Sequence, residues 1–233
     1  MVSGIWLIIG TAVIVLNLLV IWGILRGRAY REYPFLFLYC VIDFLSNVVE
    51  SAAYFGNWTL AGERYTLFYW SNEAGTQVLI FALMLTLIYQ AAEHKQRMWI
   101  TFGIGAVVVI LSVSSVAANY SAAVKLTRRM TALSWQLSFY SALLNVVLWT
   151  ALIRSRNRSV QMLLIAGGLG LLTAGKAIGH QLRGMSPGIV PFANAFIILS
   201  HMLCLLIWWR AFTRRAEDVP AVQRSSASAG GGR

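Results

Sequence analysis

The sequence predicts an all-α integral membrane protein, a bundle of seven transmembrane helices with its N-terminus outside and its C-terminus in the cytoplasm. Three observations carry that prediction. Hydrophobic residues make up 58 % of the 233 residues and charged residues only 12 %, half the charge of an ordinary soluble domain. The apolar residues gather into seven stretches, each near the ~20 residues that a helix needs to cross the hydrocarbon core. The basic residues sit between those stretches and favour one side of the membrane.

The spans fall near 4–25, 35–55, 66–90, 98–118, 131–153, 160–182 and 191–209. The first starts Met-Val-Ser-Gly-Ile-Trp, with no basic residue ahead of the apolar run, so it reads as a retained helix and not as a cleaved signal. Pro34 stands where the second helix opens, a position at which its missing N–H costs nothing. The connections are short, so successive helices run antiparallel. One side of the membrane receives eleven basic residues: Arg26, Arg28, Arg31, Lys95, Arg97, Arg154, Arg156, Arg158, Arg210, Arg214 and Arg215. The other receives five: Arg64, Lys125, Arg128, Arg129 and Arg183. The first side is therefore cytoplasmic. Trp6, Trp58, Trp70, Trp99, Trp208 and Trp209 lie near span ends and are expected to form aromatic belts.

Residues 1–210 form one transmembrane domain, and 211–233 read as a disordered cytoplasmic tail. The tail ends in Ser-Ser-Ala-Ser-Ala-Gly-Gly-Gly-Arg, too poor in apolar residues to bury a core. The formal net charge of +11 does not point to nucleic acid, because the basic residues lie where membrane insertion places them. Cys40 and Cys204 both fall inside apolar stretches, which argues for buried inert thiols and against a disulfide framework.

Polar side chains are costly in lipid, so their spacing is informative. Tyr39, Asp43, Asn47, Glu50 and Tyr54 recur at three or four residues on one face of the second span. Thr66, Tyr69, Glu73, Thr76 and Gln77 share a face of the third, and Thr131, Ser134, Ser138, Ser141 and Asn145 a face of the fifth. Thr173, Lys176, His180 and Arg183 line up on the sixth, and Asn194 and His201 on the seventh. At ~1.5 Å per residue, Glu50, Glu73 and Lys176 share one level in the outer third of the membrane, with His180 just above. Asp43 and His201 lie nearer the midplane. Turned inward, the stripes make a polar pocket open to the outside and floored by Asp43 and His201. Its expected lining is Asp43, Asn47, Glu50, Tyr69, Trp70, Glu73, Lys176, His180 and His201. A lone Lys176 would be costly, so it should pair with Glu73 or Glu50, and helix spacing alone leaves both open. The fifth-span stripe is expected to be packing glue, as are Gly168, Gly175 and Gly179.

Specific chemistries find little support. Retinal calls for a Schiff-base lysine in the last of seven helices, as in microbial rhodopsins; here Lys176 is in the sixth. Haem ligated by two histidines needs axial nitrogens about 4 Å apart, given Fe–N bonds near the ~2 Å metal–imidazole length. His180 lies roughly 3 Å and His201 roughly 16 Å below their helix ends, too far apart in depth. No HExxH, GxSxG, Walker or CxxC pattern is present. The expectation is no enzyme, no metal and no cofactor.

Two stretches carry a resemblance. Tyr30-Arg31-Glu32-Tyr33-Pro34-Phe35 opens the second span, and Tyr69-Trp70-Ser71-Asn72-Glu73-Ala74 lies in the third. Both are similar to a group of small seven-helix membrane proteins from Acidobacteria and related bacteria, with Y-R-E-F/Y-P-F and Y-W-x-x-E-A patterns. The likeness is strongest across the first three spans, and Lys176 and His180 depart from it. It implies a seven-helix fold in a bacterial inner membrane and brings no activity with it.

The function expected is a sensor- or receptor-like binder of a small molecule. The alternatives are an accessory subunit of a membrane complex and a proton-coupled carrier. The expected partners are the lipid bilayer, a small-molecule ligand and a membrane or cytoplasmic protein, with no nucleic acid.

Overall fold

A computed structural model describes residues 2–55, 63–91, 103, 106, 126–155 and 159–229. The described chain is all-α. Its helices are α1 (Val2–Arg26), α2 (Pro34–Phe55), α3 (Glu63–Ala91), α4 (Leu126–Arg154), α5 (Val160–Met185) and α6 (Val190–Ala229). Each contains a run of 19 to 26 residues long and apolar enough to cross a membrane, the make-up of a multi-pass membrane protein. These six coincide with the predicted first, second, third, fifth, sixth and seventh spans. The predicted fourth span, 98–118, lies outside the described residues apart from Gly103 and Ala106.

Local chemistry sets the helix ends. Arg28 takes the left-handed conformation (φ 51°) just after α1, a position more often filled by glycine. A 3₁₀ turn over Ala29–Arg31 follows, and Pro34 opens α2 as expected. Ser159 caps α5, its hydroxyl accepting from the Met162 N–H at 3.1 Å. The helical backbone of α6 runs on to Ala229, through most of the segment that composition assigns to a disordered tail. Adding residues to a helix already nucleated is inexpensive, and Ala, Arg, Glu and Gln in 214–223 are good helix formers, against which Pro220 in the same stretch gives up a backbone hydrogen bond.

The helices close into a ring in chain order: α1 on α2, α2 on α3, α3 on α4, α4 on α5, α5 on α6, and α6 back on α1. α3 also reaches across to α5. The α5–α6 contact is the closest, and its glycines show why. A Cβ on Gly168 would lie 2.6 Å from Trp208 Nε1, and one on Gly175 or Gly179 would run into Ser200 or Ile197. The small-residue face expected on the sixth span therefore meets α6. The outward faces are apolar at helical spacing, as Leu18, Trp22 and Leu25 on α1 and Phe139, Leu143 and Val146 on α4 illustrate.

Trp208 corrects one expectation. It is not a belt residue but the largest fully buried side chain in the core. Its Nε1 donates to the Ile165 carbonyl at 3.0 Å, and its ring stands edge-on to Tyr39 at 5.8 Å. The apolar run of α6 continues to Thr213, which leaves Trp208 inside the span, and Gly168 supplies the slot. Trp22, exposed near the end of α1 with the Arg26 guanidinium 5.0 Å above its ring, is placed as a belt residue should be. The side chains of Trp6, Trp58, Trp70 and Trp99 lie outside the described residues.

Candidate functional site

The polar stripes of α2, α3, α5 and α6 turn inward at the end of the ring shared by Phe55, Glu63, Met185 and Val190. Asp43 on α2 is the deepest charged group. Its Oδ2 accepts from Asn17 Nδ2 on α1 and from Asn47 Nδ2 at 3.2 Å, one turn along α2. His201 Nε2 on α6 stands 3.3 Å from the same oxygen, at ion-pair distance but not aligned as a hydrogen bond. The side chains of Asp43 and His201 are 14 % and 16 % exposed. α2 and α6 are not ring neighbours, so this pair closes across the interior.

Asn17 was not legible in the sequence. It is the one amide in a helix otherwise polar only at Ser3, Thr11 and the terminal Arg26, and it forms no stripe at helical spacing. It is fully buried, and among the described residues its Oδ1 has no hydrogen-bond partner.

The second pair lies nearer the same end. Lys176 Nζ on α5 is 3.3 Å from Glu73 Oε1 on α3, with side chains 15 % and 18 % exposed. Helix spacing left Glu73 and Glu50 equally open as its partner. Ring order decides, because α3 reaches α5 and α2 stands on the far side. Glu50 is half-buried and, among the described residues, has no hydrogen bond or ion pair. The Asp43 and Glu73 carboxylates are within its electrostatic reach. His180 and Arg183 follow Lys176 along α5, and both lie within electrostatic reach of Glu73. Arg183 Nε donates to Asn194 Oδ1 on α6 at 2.7 Å. Tyr69, one turn from Glu73, is within reach of Glu50, Glu73, Lys176 and Arg183. Of the nine residues expected to line the pocket, the structure thus gathers eight at one end of the bundle. The ninth, Trp70, lies outside the described residues in its side chain.

Comparison with known proteins finds no matching family model, no matching curated protein and no matching solved structure. The chemistry of the site must therefore be read from its own groups.

Neutral polar contacts lie among and just below the charged groups, and the lining then becomes apolar. Gln77 Nε2 donates to Ser141 Oγ and to the Leu137 carbonyl on α4, so Ser141 acts as interhelical glue, as expected of that stripe. Ser46 Oγ donates to Asn72 Oδ1 at 2.7 Å and ties α2 to α3. One turn beyond Asp43 and His201, Tyr39, Cys40 and Cys204 are fully buried, followed by Leu36, Leu205 and Trp208. Among the described residues the polar level thus ends on an apolar plug. Among the described residues, no three of His, Cys, Asp and Glu gather to hold a metal. Both cysteines are free thiols.

Proposed function

We propose that the chain is a sensor- or receptor-like protein of a bacterial inner membrane that binds a small polar molecule from the outside. In this reading a fourth helix at 98–118 completes seven spans, the N-terminus is outside and the C-terminus cytoplasmic. The excess of basic residues on one side supports the orientation. The observation that carries the functional reading is the stacking of two charge pairs, each side chain 14–18 % exposed, at one end of the ring above an apolar plug. Charged groups inside a membrane are costly and mark ligand or ion sites. The plug opposes a through-going proton relay, which would need polar groups across the inner half, and so ranks binding above carriage. In this reading a signal passes to a partner protein through the basic cytoplasmic loops.

Native mass spectrometry of the protein in mild detergent, with an absorption spectrum of the same sample, tests the reading. A stoichiometric small molecule, lost in Glu73→Gln or Lys176→Met, is the expected result. A bare protein that takes up no added molecule would sink it in favour of an accessory subunit. pH-dependent flux into liposomes, abolished in Glu73→Gln, would favour a carrier.

A further inference from the structure

Resting on that binding reading, we propose that the ligand is a small zwitterion, its ammonium group held at Glu50 and its carboxylate at Arg183. Glu73 pairs with Lys176, and Asp43 with His201 and two asparagine amides. Two charged groups among the described side chains at this end of the bundle remain. Among the described residues, Glu50 has no cation within ion-pair distance, and Arg183 has no carboxylate. Its Nε donates instead to the neutral Asn194 amide oxygen.

These two groups stand on opposite walls. α2 and α5 are across the ring from each other, with α3 reaching over between them. The α2 wall is acidic, with Glu50 and Asp43 one face apart by seven residues. The α5 wall is basic, with Lys176, His180 and Arg183 at helical spacing. Tyr69 on α3, between the two walls, is within electrostatic reach of both Glu50 and Arg183.

Each wall has a matching chemistry. Arg183 is held through Nε, which orients the guanidinium and leaves both Nη groups for a planar, bidentate acceptor such as a carboxylate. Glu50 lies within electrostatic reach of two other carboxylates, whose field favours a cation. A purely cationic ligand would leave Arg183 unanswered, and a purely anionic one would meet three carboxylates. A zwitterion answers both walls and adds no net charge to a low-dielectric site.

The test uses the full chain in mild detergent, read by its thermal midpoint. The probes are the proteinogenic amino acids, γ-aminobutyrate and glycine betaine. For the strongest stabiliser, its N-acetyl and carboxamide derivatives follow. At least one zwitterion should raise the midpoint in proportion to its concentration. Each derivative, lacking one charge, should bind about tenfold or more weakly, the effect of one charge-assisted hydrogen bond. Glu50→Gln should remove the preference over the N-acetyl form, and Arg183→Gln the preference over the carboxamide. If either variant does not fold, Glu50→Asp or Arg183→Lys replaces it, and the derivative series on the wild type decides alone. No stabilisation by any zwitterion, or derivatives that bind as well as the parent, overturns the inference. A neutral or singly charged molecule found by mass spectrometry and released by Glu73→Gln would overturn it while leaving the binding reading intact. No bound molecule of any class removes both.

Discussion

Removing one partner of the Glu73–Lys176 pair should cost far more than removing both. At the 3.3 Å separation, and with an effective dielectric near 20, the attraction is about 5 kcal/mol. Both side chains are less than a fifth exposed, so solvent screens them little. Glu73→Gln strands the Lys176 ammonium, and stranding a buried charge costs roughly 3–5 kcal/mol. Asp43 remains within electrostatic reach of Lys176, which puts the loss near 3 kcal/mol. Lys176→Met strands Glu73, but His180 and Arg183 are within its reach, so a similar loss is expected. The double variant Glu73→Gln/Lys176→Met leaves no charge behind and should fall within about 1 kcal/mol of wild type. The two sites are then coupled by about 5 kcal/mol, the size of the attraction itself. For a chain of this length each single variant should lower the midpoint by about 6–12 °C. Thermal unfolding in mild detergent, followed by tryptophan fluorescence, reads the cycle. A double variant as unstable as the two singles added together would refute the reasoning, since the two charges would then not be acting on each other.

Further outcomes follow from particular contacts and from the distribution of basic residues. Gly168→Ala should destabilise by about 2–4 kcal/mol, because its Cβ would stand 2.6 Å from Trp208 Nε1 and disturb the bond to Ile165. Gly75→Ala, with nothing within 4 Å of its Cβ, should be neutral or stabilise by up to about 1 kcal/mol; equal midpoints for the two alanine variants would discard the slot. Asn17→Ala should cost about 1–3 kcal/mol through the lost donor to Asp43, and Asn17→Asp should cost more by setting a second carboxylate against the first. A denaturant series in which Asn17→Asp is no worse than Asn17→Ala would show that Asp43 does not depend on that amide. A reporter fused at the C-terminus should be active only in its cytoplasmic form, and a periplasmic signal would reverse the proposed orientation.

Much of the architecture was legible along the chain, because a span needs only length and apolarity, both local properties. The stripes were legible for the same reason. A period near 3.6 assigns Asp43, Asn47 and Glu50 to one face, and Lys176, His180 and Arg183 to another, whatever surrounds them. What the period cannot say is which face meets which. The choice of Glu73 over Glu50 for Lys176 came from ring order, a property of tertiary packing. So did the pairing of Asp43 with His201 across the interior. Asn17 stayed hidden because one polar residue makes no pattern, and Trp208 was misplaced because an aromatic ring reads alike at an interface and in a core. The sequence alone determined an all-α membrane bundle and the polar faces of its helices, since hydropathy and helical spacing act within a single segment. Only the tertiary structure decided the partners, because a charge in a low-dielectric interior is stabilised by the group that folding brings within a few ångströms, and that distance is written in no one helix.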